Sequence, residues 1–171
     1  MSFNSEGTED SLRLTRNLLV VSPFGVGVDS IDVASCKQID VLLTIAKGVV
    51  DLPVAEAAVA WMLALNHRFL QKNRFVRNGE LDARSGLMGS ELRGKTIGVV
   101  DLGGIGSQLV SLICGVGMKM PVAFNAFAPA DVFDSLGGRQ CSPGGLLATA
   151  EFVALYFPLT DKNEIKFALR N

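Results

Sequence analysis

The residues best suited to do chemistry in this chain are three closely spaced glycines, Gly103, Gly104 and Gly106. An apolar run, Thr96–Val100, precedes them, and a helix-compatible segment over residues 107–114 follows. Backbone N–H groups at the start of such a helix can bind an anion, for example the pyrophosphate of a dinucleotide. The spacing therefore predicts a strand, a phosphate-binding turn and a helix, in that order.

The candidate cofactor-binding residues of this turn are Leu102, Gly103, Gly104, Ile105 and Gly106. Gly103 would let the backbone approach the pyrophosphate, while the N–H groups of Gly104 and Ile105 would donate to phosphate. Gly106 would allow the helix to pack closely on the strand. From the residues alone, a tight strand-to-helix turn without a ligand remains the alternative.

Asp101 stands where the usual G-x-G-x-x-G pattern has its first glycine. Its carboxylate would lie near the bound anion, and like charges about 4–6 Å apart oppose each other. If the turn requires a positive φ at this position, Asp tolerates it better than most residues but less well than Gly. The sequence therefore predicts a weakened affinity for dinucleotide.

A second candidate cofactor-binding residue, Asn125, follows the strand predicted over residues 122–124. An acidic residue about 20 positions after the glycines normally accepts from the adenosine ribose hydroxyls. Asn can still bind ribose, but it carries no charge to repel a 2′-phosphate, and no neighbouring Arg favours NADP. A strand-end Asn that makes a turn is an alternative of comparable weight.

Strands that alternate with helices position this turn and predict an α/β fold with a doubly wound, mostly parallel sheet. Around the turn the predicted elements are strand Thr96–Val100, helix Gly104–Gly115, strand 122–124, helix 130–136, a loop at 137–138, helix 144–150 and strand 152–157. Before it, strands 18–22 and 41–45 flank a helix over Val33–Gln38, which residues 29–32 could cap.

One long helix is predicted over residues 53–77, because apolar residues recur there at three- and four-residue steps. Its first half is apolar on nearly every side, so we expect it to be buried between layers or against another subunit. The pair Asn78 and Gly79 would end the helix.

Composition excludes several classes of protein. The chain has 171 residues, which suits one domain or one domain plus part of another. Its 16 basic and 17 acidic residues do not favour nucleic acid, and no apolar run approaches the roughly 20 residues of a membrane span. Three widely spaced cysteines (Cys36, Cys114 and Cys141) indicate reduced thiols and a cytoplasmic location. No metal-ligand spacing is present, and we predict no metal site.

The sequence resembles the D-isomer-specific 2-hydroxyacid dehydrogenases, the phosphoglycerate-dehydrogenase-like family. The matching stretches are residues 25–32 (GVGVDSID), 53–56 (PVAE), 91–98 (ELRGKTIG), 102–106 (LGGIG), 117–118 (GM) and 158–160 (PLT). Each stretch is weak by itself, but together, at family-like separations, they are specific. The resemblance covers only the middle of such an enzyme.

The resemblance implies a truncated Rossmann-type domain with a remnant of the substrate domain. Residues 11–52 would be the remnant of the substrate domain, 53–94 an interdomain helix and dimerisation arm, and 95–171 a partial NAD(P)-binding Rossmann domain. The polar and acidic residues 1–10 by themselves predict a disordered tail. In the strand order 3-2-1-4-5-6, stopping after the fourth strand would leave residues 152–157 as an open apolar edge. Such an edge predicts a homodimer or larger assembly.

The resemblance also implies a function, the interconversion of 2-hydroxy and 2-keto acids by hydride transfer with NAD or NADP, NAD being slightly favoured. Backbone N–H groups at Val26 and Gly27 would hold the substrate carboxylate, although a plain strand-to-helix turn is favoured there for this chain. Pro158 would line the adenine–ribose side of the cleft.

No catalytic residue is assigned, because the family's catalytic Arg, carboxylate and His would lie beyond Asn171. We therefore expect no catalysis from this chain alone. The alternatives are a non-catalytic dinucleotide-binding or dimerisation module, and a decayed fragment without activity.

Overall fold

The computed structural model describes residues 11, 12, 14, 17–124 and 138–157. The chain divides into two compact units, Met1–Val50 and Asp51–Asn171. Among the described residues, no helix combines the length and the hydropathy needed to cross a bilayer.

The first unit holds two short parallel strands and one helix. Strand β1 (Val20–Val21) pairs with β2 (Leu42–Leu43), and helix α1 (Val33–Gln38) lies between them in sequence. The Asp32 carboxylate accepts hydrogen bonds from the Ser35 N–H at 2.9 Å and the Ser35 hydroxyl at 2.8 Å. These bonds hold the pKa of Asp32 below its ordinary value. The predicted helix and its cap are thus confirmed, whereas both strands are shorter than predicted.

The second unit is built on a parallel four-stranded sheet. Its strands are β3 (Thr96–Val100), β4 (Lys119–Phe124), β5 (Arg139–Gln140) and β6 (Phe152–Leu155), in the spatial order β5-β4-β3-β6. When the four strands are renumbered 1 to 4 along the chain, their order across the sheet is 3-2-1-4, as expected for a doubly wound sheet. The sequence prediction missed β5, because two exposed polar residues carry no strand pattern, and placed the end of β6 two residues too late. The helix predicted over residues 130–136 lies outside the described residues.

Strand β3 is buried on both faces, which explains its continuous apolar run. On one face, Ile97 and Val99 join the core cluster with helix α2 (Asp51–Asn66) and helix α4 (Gly104–Gly115). On the other, Val100 packs with Leu146 of helix α5 (Pro143–Thr149). A Cβ at Gly98 would lie 2.5 Å from Leu146 Cδ2, so the glycine makes room for this helix.

The predicted single helix over residues 53–77 is wrong in one respect, because it is broken in two. Helix α2 ends at Asn66, and helix α3 (Phe69–Arg77) begins after Arg68, whose φ of 54° lies in the left-handed region. At the break, the Asn66 carbonyl accepts from the Ser90 N–H at 3.1 Å, and the Ser90 hydroxyl donates to Asn66 Oδ1 at 3.0 Å. The Asn66 side-chain amide also donates to the Ser90 carbonyl. A returning segment of chain thus occupies the Asn66 carbonyl, which a continuous helix would use for its own hydrogen bond.

The apolar first half of this region is only partly buried within the chain. In α2, Ala55 and Met62 are buried, whereas Trp61 and Leu65 are 69% and 68% exposed. Burial against a second subunit therefore remains a prediction for this helix.

Candidate functional site

The predicted strand, turn and helix are present with the predicted bounds for β3 and α4. Gly103 is the N-cap residue of α4, with an extended backbone at φ −70° and ψ −160°. As a glycine, the N-cap residue contributes no side-chain cap to the helix, and the N–H groups of a helix's first turn have no partner within the helix itself. The backbone at this turn is therefore that of the strand–turn–helix unit that the sequence predicted.

Gly106 sits where helix α4 comes closest to the sheet. It is buried, and a Cβ at this position would collide with the carbonyl oxygen of Asp101 and lie 3.3 Å from Val99 Cγ1. The close helix–strand packing that the sequence predicted at Gly106 is therefore observed, and any side chain there would push the helix away from the turn.

Asp101 has the positive φ that the sequence analysis allowed for, at 77°. A left-handed backbone of this kind favours glycine, which is the residue usual at this place in the motif. The carboxylate lies over the turn, since a Cβ at Gly103 would be 3.4 Å from Asp101 Oδ2. Burial raises the pKa of Asp101 above its ordinary value, and a hydrogen bond from the Gly103 N–H opposes that rise.

A second carboxylate, which the sequence analysis did not assign to the site, reaches the same turn. Asp51 is the first residue of α2, and a Cβ at Gly104 would collide with Asp51 Oδ2 and lie 3.1 Å from Oδ1. The Asp51 side chain therefore packs on the first residue of α4. The sequence pattern could not indicate this contact, because residues 51 and 104 are far apart along the chain.

The remaining predicted site residues have different surroundings. The Leu102 side chain is a core residue with 8% exposure, so only its backbone can face a ligand. Ile105 is half-buried on the first turn of α4. Asn125 and Pro158 lie outside the described residues.

The predicted substrate loop belongs to the first unit. Val26 is 48% exposed, and Gly25 has a φ of 141°, which only glycine adopts readily. Gly27 lies next to Asp29, since a Cβ there would be 3.5 Å from Asp29 Oδ2. This part of the chain therefore has the glycine-dependent turn that the sequence predicted.

Among the described residues, no group of three His, Cys, Asp or Glu side chains is arranged to hold a metal ion.

A parallel sheet with strand order 3-2-1-4 and a glycine turn between its first strand and the next helix defines a Rossmann-type dinucleotide-binding domain. Residues 59–168 match the family model described as "D-isomer specific 2-hydroxyacid dehydrogenase, NAD binding domain". The chain therefore belongs to the D-isomer-specific 2-hydroxyacid dehydrogenase family and carries its NAD-binding domain, as the resemblance indicated.

Individual relatives agree with this assignment. D-3-phosphoglycerate dehydrogenase of Methanocaldococcus jannaschii is 33% identical over 156 residues, which cover 91% of this chain and 29% of that protein. Apo D-lactate dehydrogenase of Escherichia coli shares the fold with a TM-score of 0.83 at 24% identity, covering 96% of this chain and 52% of the other.

D-lactate dehydrogenase of Aquifex aeolicus, solved with NAD and lactic acid, gives a TM-score of 0.78 at 26% identity, covering 92% of this chain and 47% of the other. The chain thus spans about half the length of these lactate dehydrogenases and less than a third of the phosphoglycerate dehydrogenase.

Proposed function

We propose that the turn from Leu102 to Gly106 binds the pyrophosphate of NAD or NADP. The observation that carries this proposal is the glycine N-cap of α4 at Gly103, held against β3 by the buried Gly106. The backbone N–H groups of Gly104 and Ile105 would donate to phosphate oxygens, with the helix dipole favouring the anion. Asn125 and Pro158 are proposed for the ribose and the adenine side by resemblance to the family.

The glycine turn has the backbone that a dinucleotide needs, but two carboxylates lie on it. Gly103 and Gly104 have no side chains of their own to obstruct the close approach that a pyrophosphate requires. The Asp51 and Asp101 carboxylates lie against these same two residues. We therefore expect binding that is weaker than the fold alone would support.

In the whole enzymes of this family, the nicotinamide accepts a hydride from a 2-hydroxy acid or supplies one to a 2-keto acid. We propose that this chain contributes the cofactor-binding portion of such a reaction, with the N–H groups of Val26 and Gly27 available to a substrate carboxylate. Since no residue of the chain is assigned as the proton shuttle, we expect no turnover of glyoxylate, pyruvate or hydroxypyruvate with NADH. Measurable turnover by the purified chain would contradict this expectation.

Calorimetric titration of the purified chain with NADH and, in parallel, NADPH tests the cofactor proposal. Binding at micromolar to submillimolar strength supports it, and no binding up to millimolar concentration refutes it. Gly103→Ala places a methyl group in the proposed phosphate approach, and its Cβ would make only an ordinary 3.4 Å contact with Asp101. This variant should fold and lose affinity.

Gly115→Ala is the matched control. It lies at the other end of α4, where an added Cβ meets nothing within 4 Å, so it should retain the affinity of the unmodified chain. An equal loss in both variants would show that the methyl group acts through the helix and not through the turn.

The second candidate function is a homodimerisation module. It is favoured by the exposed Trp61 and Leu65 of α2 and by the half-exposed Val153 and Leu155 on β6, the last strand of the described sheet. Exposed apolar helices and unpaired strand edges recruit partners. Sedimentation equilibrium should give a dimer, whereas a monodisperse monomer would refute this candidate.

We also propose a cytoplasmic location, because the three widely spaced cysteines indicate reduced thiols.

A further inference from the structure

Two carboxylates from different parts of the second unit meet at the start of helix α4. Asp101 lies over Gly103, on the strand side of the turn. Asp51 arrives from the beginning of α2 and packs on Gly104 so closely that no Cβ fits between them. Within the described ranges, no cationic side chain forms an ion pair with Asp51.

We propose that Asp51 is a built-in competitor for the pyrophosphate and thereby sets the affinity of the dinucleotide site. This inference rests on the proposed function. The N-terminus of α4 carries a partial positive charge that attracts an anion, and the Asp51 carboxylate already supplies one. An entering pyrophosphate must displace this side chain or bind beside it, against the repulsion of both carboxylates.

The contact between the Asp51 side chain and Gly104 does not depend on the negative charge of Asp51. Asparagine has nearly the same size and shape as aspartate, so Asp51→Asn keeps the side-chain contact with Gly104 and removes only the negative charge. Neutralising Asp51 should therefore preserve the helix and change mainly the anion affinity. Coulomb repulsion between a carboxylate and a nearby doubly charged pyrophosphate in largely aqueous surroundings corresponds to a roughly three- to tenfold change in affinity.

The test compares NADH titrations of the unmodified chain, Asp51→Asn, Asp101→Asn and the double variant. Each single variant should bind about three- to tenfold more tightly, and the double variant more tightly than either. Glu80→Gln removes the same charge from an exposed position on the loop after α3 and should leave the affinity unchanged. An Asp51→Asn affinity equal to that of the unmodified chain, with binding intact, overturns the inference and leaves the proposed function standing.

Salt separates repulsion from a merely structural effect. Because mobile ions screen exposed charges, the advantage of Asp51→Asn should shrink when the titration is repeated in 1 M salt. An advantage that persists unchanged at high salt overturns the electrostatic account. Absence of binding by every variant, the double variant included, refutes the proposed function and this inference with it.

A double-mutant cycle tests the contact without any ligand. Gly104→Ala should lower the thermal midpoint in the unmodified chain, because the new methyl group meets the Asp51 carboxylate. In an Asp51→Ala background most of that loss should disappear. An equal loss in both backgrounds would show that Asp51 does not occupy the start of α4, and would overturn the inference.

Discussion

Replacement of Asp101 separates the backbone strain at the turn from the charge beside it. Asp101→Gly removes both, Asp101→Asn removes the charge while keeping a residue that tolerates a positive φ, and Asp101→Ala removes the charge while keeping the strain. The alanine variant should therefore be less stable than the other two, whereas all three should change the dinucleotide affinity in the same direction.

The size of the strain follows from the φ of 77° at Asp101. A left-handed conformation costs an L-residue about 1–2 kcal/mol, and less for Asp or Asn, while glycine loses about 0.5–1 kcal/mol through its freedom in the unfolded chain. Asp101→Gly should then be more stable than Asp101→Ala by about 1 kcal/mol. Asp101→Asn should lie close to Asp101→Gly.

Urea unfolding at neutral pH measures these free energies, and NADH titration measures the affinities. Glycine and asparagine should both tighten binding, and alanine should do so in spite of its lower stability. A turn in which Asp101→Ala is as stable as Asp101→Gly does not require the positive φ. Unchanged affinity in all three variants would remove the charge argument for this residue.

The pH dependence has a definite sign. Because burial raises the pKa of Asp101 in the folded chain, the ionised carboxylate destabilises the fold relative to the protonated one. That cost is absent below the ordinary pKa of Asp and develops as the pH rises through the raised value. The stability advantage of Asp101→Asn at neutral pH should therefore vanish in acid, and affinity for acid-stable NAD⁺ should rise as the pH falls through the same range.

Two further predictions concern the elements that support the site. Gly89→Ala places a Cβ 2.6 Å from His67 Cα, so it should cost about 1–3 kcal/mol of unfolding free energy, whereas Gly86→Ala, with nothing within 4 Å, should leave urea unfolding unchanged. Glu151 accepts a hydrogen bond from Lys95 Nζ at 3.0 Å, which is the main cause of its lowered pKa. Glu151→Gln should therefore lower the thermal midpoint at neutral pH. The difference in thermal midpoint from the unmodified chain should disappear as the pH falls through that lowered pKa. A difference that persists in acid would show that the ion pair is not its cause.

The sequence by itself determined the nucleotide-type unit, because the information there is local. An apolar strand, a glycine turn and an apolar helix adjoin one another in the chain, and their bounds Thr96–Val100 and Gly104–Gly115 were predicted as observed. The parallel order of the sheet also followed, because strands that alternate with helices allow few topologies. Even the strain at Asp101 could be anticipated from the missing glycine.

Only the tertiary structure decided the rest, since it depends on residues that are distant in sequence. The helix break at Arg68 lies where Ser90 forms hydrogen bonds with Asn66. Neither a Gly nor a Pro in the sequence indicated this break. The Asp51 carboxylate reaches Gly104 only because α2 packs against α4. The sequence shows which backbone N–H groups can bind an anion, but packing determines which charged side chains surround them.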